Sequence, residues 1–442
     1  MKHACSRALA LVLALALLSV SALAADFTGR ADDLNALGLF QGSGTDENGS
    51  PVYGLDRAPT RAEAVTMLVR LLGKESEALA GDWDVPFTDL SGASAWALPY
   101  VGYAYANGLT LGETDTLFGT GNLCSAQMYC TFVLRSLGYS DTAADAGDAD
   151  FTYAEAVDAA CALGLLDPVT AQGEFLRDEV VAVSYAALAT PIKGSETLLI
   201  EKLAEEGAVD ADAAQALADK ADTYREYSEL LAAQGESVDL SYTLEGSLTS
   251  AGVVVPVTAE GRDQVRVTAE GFEMASVMTS TVMEQSITVE SYVRDGILYI
   301  NDGVSKTKSA VDDAGLSSPA ALWDATGVDM PLYFIDTISR VEDEDGVAYT
   351  LTIPGSLLSS LTSALMGEDV LGELDAALGG VTLTVRFADG AAQSISAQLT
   401  ASASIAGLPS EMLVSMEADV NALGDDVAVS FPSDLDGYTD AQ

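Results

Sequence analysis

The chain has little of several residue types on which enzymes and metalloproteins commonly depend. Only one of its 442 residues is a histidine, His3, and four are cysteines. A Ser-His or Cys-His nucleophile pair needs an imidazole base, and most zinc sites use imidazole or clustered thiolate ligands. Because His3 lies in an N-terminal leader, we expect none in the mature protein, which excludes most hydrolase and zinc-enzyme templates.

The cysteines also argue against a disulfide framework. After removal of the leader, three remain, Cys124, Cys130 and Cys161, an odd number without CxxC spacing. Cys130 lies in an apolar helical run, which predicts a buried thiol. A single pairing of Cys124 or Cys130 with Cys161 is the alternative, and we assign these thiols no chemistry.

Basic residues are scarce as well. There are 20 lysines and arginines against 67 aspartates and glutamates, a formal net charge of −47. This balance excludes nucleic acid as a partner and repels other anionic polymers. A wall glycan would therefore bind only where a few arginines, or a bridging Ca²⁺, reverse the sign locally. The alternative is that the acidity simply keeps an exported protein soluble.

Long hydrophobic runs are absent except at the N-terminus. Lys2 and Arg7 precede the apolar run Ala8 to Val20, and Ser21 to Ala24 has the small residues of a cleavage site. We therefore predict a signal peptide over residues 1–24, with no lipid anchor after it and no membrane span in the remaining chain. The expected location is outside the cell, at its surface.

The first half of the chain repeats. "TRAEAVTMLVRLLG" (Thr60 to Gly73) aligns without a gap to "SAQMYCTFVLRSLG" (Ser125 to Gly138), and "LRDEVVAVSYAAL" (Leu176 to Leu188) is a third copy. Apolar residues recur at helical spacing in each, and glycines end the first two. Three helix-loop-helix units, each too small to bury its own apolar face, are expected to pack as one body.

These repeats resemble S-layer homology domains. The resemblance rests on Phe-Thr-Asp before a tryptophan (Phe87 to Trp96), a glycine-bounded loop and the Thr-Arg-Ala-Glu of residues 60–63, and it covers Asp26 to Asp210. It implies a three-lobed, all-α module that attaches exported bacterial proteins to an anionic, often pyruvylated, secondary cell-wall polysaccharide. We place the repeats at 25–80, 81–143 and 144–210, followed by a helical linker at 211–236.

Arg61 is the residue of this pattern that local physics does not explain. Thr60 and Glu63 form a capping box, in which each side chain accepts a hydrogen bond from a free backbone N–H. Arg61 lies against the positive end of the helix dipole, so it either points into water or helps these N–H groups hold an anion. The resemblance implies that this arginine meets the anionic sugar in a groove between lobes.

The repeats differ at this position. The third repeat keeps the arginine as Arg177, whereas the second has Ala126, so we predict at most two charged sites. The predicted glycan-binding set is Arg61, Glu63, Asp89, Trp96 and Arg177. The alternatives are that Asp89 caps a helix and that Trp96 belongs to the core.

No metal or cofactor is predicted. The acidic loops Gly44 to Ser50 and Asp141 to Asp150 lack EF-hand spacing with its terminal glutamate, so we expect solvated loops, with Ca²⁺ as the minor alternative.

From Val238 onward, apolar residues no longer recur at helical spacing but at every second position. Strands are predicted in 238–248, 346–355, 411–423 and 426–431, and hairpins at Asp295-Gly296 and Asp389-Gly390. Two segments, Ser317 to Val341 and Gly355 to Gly379, are predicted as helices that cover one face of the sheet. The predicted fold is α+β, with an antiparallel, half-barrel-like sheet domain over residues 237–442.

This order of elements resembles the lipoprotein carriers of the LolA and LppX type, which implies space for an apolar ligand beside Met274, Met278 and Met283. The leading prediction is a non-catalytic cell-surface protein that displays this domain. The alternatives are a carrier or sensor of lipid-like molecules and a carboxylate-dependent glycosidase. The second half has one tryptophan, Trp323, which argues against aromatic sugar subsites.

Overall fold

The computed structural model describes residues 26–141, 149–166, 174–250, 252–269, 271–282, 285–311, 330–357, 377–405 and 408–440. The predicted signal peptide, Met283, Trp323, most of the 141–150 loop and residues 317–329 and 358–376 of the predicted covering helices lie outside this range. The chain forms two compact units. The helical unit contains the described residues up to Asp222 together with Pro331–Tyr333, and the sheet unit contains the others.

The helical unit consists of short helices joined by glycine-bounded loops. Its helices are α1 (Thr28–Ala36), α2 (Arg61–Leu71), α3 (Glu75–Ala80), α4 (Leu98–Ala106), α5 (Ala126–Ser136), α6 (Ala156–Ala162), α7 (Arg177–Leu188) and α8 (Leu199–Glu205), and α9 (Ala211–Ala232) runs across the unit boundary. Two 3₁₀ turns, Gly92–Ala97 and Tyr153–Glu155, precede α4 and α6. A short hairpin, β1 (Gly44–Thr45) with β2 (Pro51–Val52), lies in the first repeat's loop.

Local sequence explains where the second helix of each repeat begins and ends. The predicted capping box of α2 is confirmed, with the Glu63 N–H donating to Thr60 Oγ1 at 3.3 Å and the Thr60 N–H donating to Glu63 Oε2 at 2.8 Å. At the start of α5, Ser125 Oγ accepts the Met128 N–H at 3.3 Å. Gly73 and Gly138 follow α2 and α5 with φ of 65° and 93°, a backbone conformation that favours glycine.

The second helix of each repeat begins beside a loop of a different repeat. The first N–H of α2, from Arg61, donates to Asn122 O of the second repeat at 2.8 Å, and the first N–H of α7, from Arg177, donates to Arg57 O of the first repeat at 3.0 Å. On α5, the Gln127 side chain donates to Tyr153 O of the third repeat. The start of each second helix thus lies against the loop of another repeat.

The sheet unit contains one large sheet. Its strands are β3 (Val238–Ser250), β4 (Val253–Thr268), β5 (Gly271–Val282), β6 (Gln285–Arg294), β7 (Ile297–Asn301), β8 (Lys306–Ala310), β9 (Thr337–Asp343), β10 (Gly346–Pro354), β11 (Ala377–Ala388), β12 (Ala391–Ile405), β13 (Leu408–Leu423) and β14 (Thr439–Asp440). Their order is β14-β8-β7-β6-β5-β4-β3-β13-β12-β11-β10-β9. Neighbours are antiparallel except β14 and β8, which confirms the predicted α+β class.

The two faces of the sheet differ in polarity. Along β3, Leu240 and Leu244 are buried, whereas Thr243 and Glu245 between and beside them are exposed. We call the face with Leu240 the buried face and the other the outer face. The two predicted hairpin turns are confirmed, because Asp295-Gly296 and Asp389-Gly390 all have φ between 50° and 79°, as a type I′ turn requires.

Three parts of the secondary-structure prediction are wrong. Thr337 to Val341 form part of strand β9 instead of a helix, because their β-branched residues pair with β10. Ala377 to Gly379 likewise belong to β11. The predicted strand 426–431 is not one, because the Gln264 side chain takes the place of a partner strand, bonding Ala428 O at 2.9 Å and the Ser430 N–H at 3.1 Å.

Candidate functional site

Arg61 is buried between two aromatic rings of the second repeat. Its side chain is only 5% exposed, and its Cζ lies 4.9 Å from the ring centroids of both Phe118 and Phe132. Nη2 donates to Thr110 Oγ1 at 3.3 Å, and the buried Nε has no hydrogen-bond partner. Burial lowers the pKa of Arg61, but a guanidinium remains protonated at any physiological pH.

Arg177 occupies the corresponding place against the first repeat. It is also 5% exposed, its Nε donates to Tyr53 O at 2.9 Å, and its Cζ lies 5.6 Å from the Phe40 ring centroid. Tyr53 precedes Gly54 as Phe118 precedes Gly119, so the two arginines contact equivalent loop positions. Desolvation by burial lowers the pKa of Arg177 as well.

Neither arginine has a carboxylate partner among the residues that the structure describes. The other arginines of the helical unit all do, in the pairs Arg30–Asp33, Arg57–Glu63, Arg70–Glu75 and Arg135–Asp141. Among the described arginines of this unit, only Arg61 and Arg177 therefore lack a carboxylate partner. In the second repeat the equivalent residue is Ala126, which is buried and carries no charge.

The Glu63 carboxylate accepts hydrogen bonds both from the start of α2 and from a neighbouring arginine. Its carboxylate accepts hydrogen bonds from the Arg57 guanidinium at 2.7 and 3.0 Å and from the Thr60 N–H. Partial burial opposes ionisation, but these hydrogen bonds outweigh it and lower the pKa of Glu63 to about 2. Since Arg57 O accepts the Arg177 N–H, the structure connects Glu63 to Arg177 across the repeat boundary.

Asp89 holds the loop that carries Phe118. Its two carboxylate oxygens accept the N–H groups of Phe118, Gly119 and Thr120, each at 2.9 Å, and the Thr120 hydroxyl at 2.6 Å. Burial opposes ionisation, but the Thr120 and loop hydrogen bonds lower the pKa of Asp89 well below its usual range. The alternative that Asp89 caps a helix is wrong, because Ser91 precedes the 3₁₀ turn.

Trp96 lies in that 3₁₀ turn and is 50% exposed. The alternative that it belongs to the core is therefore wrong. An exposed indole ring can stack on a sugar, but no contact with Arg61 or Arg177 is found among the described residues. The structure thus links Asp89 to Arg61 through Phe118, and Glu63 to Arg177 through Arg57. No such link to Trp96 is found among the described residues.

Several residues that shape these sites were missed by the sequence reasoning. The rings of Phe40, Phe118 and Phe132 were not singled out, although Phe118 stands at the same loop position as Tyr53. Asp178, next to Arg177, was also missed. It is 6% exposed and accepts the Phe27 N–H at 3.1 and 3.2 Å, and burial, with Glu179 and Asp26 nearby, raises its pKa to about 8.

The described residues offer little for metal, thiol or membrane chemistry. Within them, no three His, Cys, Asp or Glu residues are placed to hold a metal ion. Cys124 and Cys130 form no disulfide bond, and burial raises the pKa of both thiols to about 12, so these two thiols stay protonated. No helix in the described ranges is long and apolar enough to cross a membrane.

Known proteins resemble part of the chain. Residues 86–125 match the family model of the S-layer homology domain. The "Middle cell wall protein" of Brevibacillus brevis is 32% identical over 115 residues, covering 26% of this chain and 10% of that protein. The "Surface layer protein" of Brevibacillus choshinensis is 33% identical, covering 24% of this chain and 9% of that one. The chain spans about a tenth of the length of these relatives.

Solved structures resemble the chain more distantly. LprF from Mycobacterium bovis aligns with 47% of this chain and 97% of its own, at 11% identity and a TM-score of 0.25. A putative outer membrane lipoprotein-sorting protein domain from Vibrio parahaemolyticus aligns with 49% of this chain and 95% of its own, at 9% identity and a TM-score of 0.17. From the family match and the relatives, this chain is an exported cell-surface protein that carries S-layer homology sequence.

Proposed function

We propose that the helical unit attaches the chain non-covalently to an anionic secondary cell-wall polysaccharide, through Arg61 and Arg177, and so displays the sheet unit. In this proposal the repeats lie at 25–80, 81–143 and 144–210, the linker at 211–236 and the sheet domain at 237–442. The observation that carries it is the pair of buried arginines, neither of which has a carboxylate partner within the described ranges.

A buried cation without a counter-ion is unfavourable, because its water shell is lost and nothing replaces it. An anion that enters the groove supplies the missing partner, and the planar guanidinium presents two parallel N–H groups to a carboxylate. The orphan Nε of Arg61 is one such donor. The aromatic rings around it exclude water, which strengthens the interaction with the anion.

The positive charge of these two arginines contrasts with the negative charge of the whole chain. With a formal net charge of −47, the chain as a whole repels anionic polymers. The family match and the relatives named for the cell wall and surface layer favour a wall polymer as the anion. A pyruvyl substituent, which the resemblance implies, is a carboxylate of suitable size.

We also infer that the chain is not an enzyme. His3 is its one histidine, so the mature protein lacks the commonest general base. The surface-protein names of the relatives agree with this inference. A reducing-sugar assay on wall glycans tests the glycosidase alternative, and released reducing ends would overturn the inference.

The proposal is tested by binding of the mature chain to purified sacculi, with and without their secondary polymer. We expect wild type to sediment only with sacculi that keep the polymer, and the double variant Arg61→Gln/Arg177→Gln to remain in solution. Arg266→Gln, which removes an exposed arginine paired with Glu273 in the sheet unit, is the control for lost charge and should still bind. Binding by the double variant, or binding without the polymer, would contradict the proposal.

A further inference from the structure

The two arginine sites differ in the side chain that lies beside a glycine of their loop. Gly54 lies in the loop that Arg177 contacts, and Gly119 lies in the loop that Arg61 contacts. Both glycines have a positive φ, 60° and 83°, a backbone conformation that favours glycine. The two loops are therefore equivalent at this point, and the side chain beside each glycine can be compared.

At the Arg61 site the space beside Gly119 is taken by the Glu113 carboxyl group. A Cβ on Gly119 would collide with that group. Both of its oxygens accept hydrogen bonds from Asn122 Nδ2, at 3.0 and 2.8 Å, and Asn122 O accepts the Arg61 N–H at 2.8 Å. A solvent-exposed carboxylate is thus held, through Asn122, to the residue that starts α2.

Ser43 occupies in the first repeat the position that Glu113 occupies in the second. The Ser43 N–H donates to Val52 O at 2.7 Å, and the Glu113 N–H donates to Leu117 O at 2.9 Å. Val52 and Leu117 each precede the aromatic residue of their loop. The backbone bonding is therefore the same at the two positions, and only the second repeat has a carboxylate there.

At the Arg177 site an arginine side chain lies beside the loop glycine instead. The Arg57 Nε would be 3.7 Å from a Cβ on Gly54. The Arg57 guanidinium is paired with Glu63 and remains 45% exposed. The space that holds a carboxyl group at one site is thus next to a guanidinium at the other.

These neighbouring charges act in opposite directions on the two buried guanidinium groups. Burial lowers the pKa of Arg61, and the charge of Glu113 opposes that shift. Burial lowers the pKa of Arg177 as well, but there the charge of Arg57 adds to the shift more than Glu63 opposes it. An incoming anion therefore meets a negative neighbour at Arg61 and a positive one at Arg177.

We propose that Glu113 makes the two sites unequal: it weakens binding of an anion at Arg61, so that Arg177, with Arg57 beside it, is the stronger anion site. The repulsion acts partly through solvent, because Glu113 is exposed, and it lowers the affinity by about fivefold to tenfold. This inference rests on the proposed function, because it concerns the anion that the two arginines bind there.

The test measures dissociation constants for sacculi that keep their polymer, by sedimentation of the mature chain over a concentration series. Arg61→Gln leaves the Arg177 site alone, and Arg177→Gln leaves the Arg61 site alone. We expect Arg61→Gln to bind the polymer more tightly than Arg177→Gln by about tenfold, the effect of neighbouring charges of opposite sign. Equal affinities of these two variants would overturn the proposal.

Removal of the Glu113 charge identifies the cause of the difference. Glu113→Gln keeps a hydrogen bond with Asn122, because the amide oxygen accepts it, and should strengthen polymer binding by Arg177→Gln about fivefold to tenfold. The same substitution in Arg61→Gln should leave the affinity unchanged. Glu417→Gln, which removes an equal charge from an exposed residue of β13 in the sheet unit, is the matched control and should change neither background.

The outcomes separate this inference from the proposed attachment. Binding by the double variant Arg61→Gln/Arg177→Gln contradicts the attachment itself. If the double variant does not bind and Glu113→Gln has no effect on Arg177→Gln, the attachment stands and the inference is wrong. The inference is also wrong if Arg177→Gln shows no measurable binding and Glu113→Gln does not restore it.

Discussion

Single residues in the helical unit show how the cost of a buried charge depends on its partner. Arg135 and Asp141 form a pair whose side chains are 12% and 8% exposed, whereas Arg61, 5% exposed, has no counter-ion in the described part of the chain. The paired arginine satisfies a buried carboxylate. The unpaired one contributes only packing against Phe118 and Phe132 and the single hydrogen bond to Thr110.

We therefore predict opposite effects of the same substitution at these two positions. Arg61→Met should raise the melting temperature and weaken polymer binding, because it removes a buried charge that lacks a carboxylate partner among the described residues and leaves Arg177 in place. Arg135→Met should lower the free energy of unfolding by ~3–5 kcal/mol, because it leaves Asp141 buried and unpaired. Calorimetric unfolding with a sacculus pull-down measures both effects, and a destabilised Arg61→Met that binds as wild type does would contradict the prediction.

Asp178 predicts how stability depends on pH. Its pKa in the folded chain is about 8, above the unfolded value, so between about pH 4 and 8 the folded state holds a proton that the unfolded state has released. The contribution of Asp178 to the free energy of unfolding is fully present at low pH and is lost as the pH rises through this range. Glu63, with a lowered pKa of about 2, gives the opposite slope only below about pH 4.

The expected result is a melting temperature that falls from pH 5 to pH 8 in wild type. In Asp178→Asn the fall should be clearly smaller, and the variant should be the more stable one at pH 8, since asparagine also accepts the Phe27 N–H. Thermal unfolding at a series of pH values tests this. Parallel curves for the two proteins would show that Asp178 does not titrate as expected.

At the scale of elements, the sequence predicted features that depend on near neighbours. The capping box of α2 and the two Asp-Gly hairpins need only residues three or fewer apart, and all are found. Residues 426–431 have the alternation of a strand but no strand beside them. Nothing in that segment shows that Gln264, more than 160 positions earlier, bonds its backbone.

The residues of the candidate site also fall into those that the sequence predicted and those that it did not. Arg61 and Arg177 were found because the repeats align and resemble a known family. The rings of Phe118 and Phe132 were not predicted as part of the site. For Phe118, the reason is that a periodic pattern does not reveal which loop residue faces the next repeat. Helical spacing places Phe132 in a core, but its contact with an arginine of another repeat arises only when the repeats pack.

The Gln264 side chain provides a prediction at this scale. Gln264→Leu should lower the free energy of unfolding by ~1–3 kcal/mol, because it leaves Ala428 O, the Ser430 N–H and part of the Asp239 carboxylate without partners. Hydrogen exchange of the Ser430 amide should become faster. Gln398→Leu, an exposed position on β12, is the control, and equal effects of the two variants would contradict the prediction.

For the whole molecule, the charge balance affects how the chain would approach the anionic polymer proposed as its partner. A protein with net charge −47 approaches an anionic chain against long-range repulsion, although the residues proposed to bind that chain are cationic. Salt screens the repulsion over distances longer than about 8–10 Å at physiological ionic strength, and affects the buried contact less.

We therefore expect the association rate with immobilised polymer to rise by about tenfold from low to physiological salt, the reverse of ordinary attraction between opposite charges. The dissociation rate should change less. Surface plasmon resonance over a salt series measures both rates. An association rate that falls with salt would mean that a local basic surface steers the encounter.

The contact between Phe27 and Asp178 has a consequence for the order of export and folding. Phe27 lies just after the predicted signal peptide, and its partner follows 151 residues later. A chain that crosses a membrane N-terminus first exposes Phe27 long before Asp178 has crossed. The closed arrangement of the three repeats, and with it the contact of Arg177 with Tyr53, can form only after the third repeat has emerged. Translocation of this module therefore finishes before the proposed attachment through Arg177 can begin.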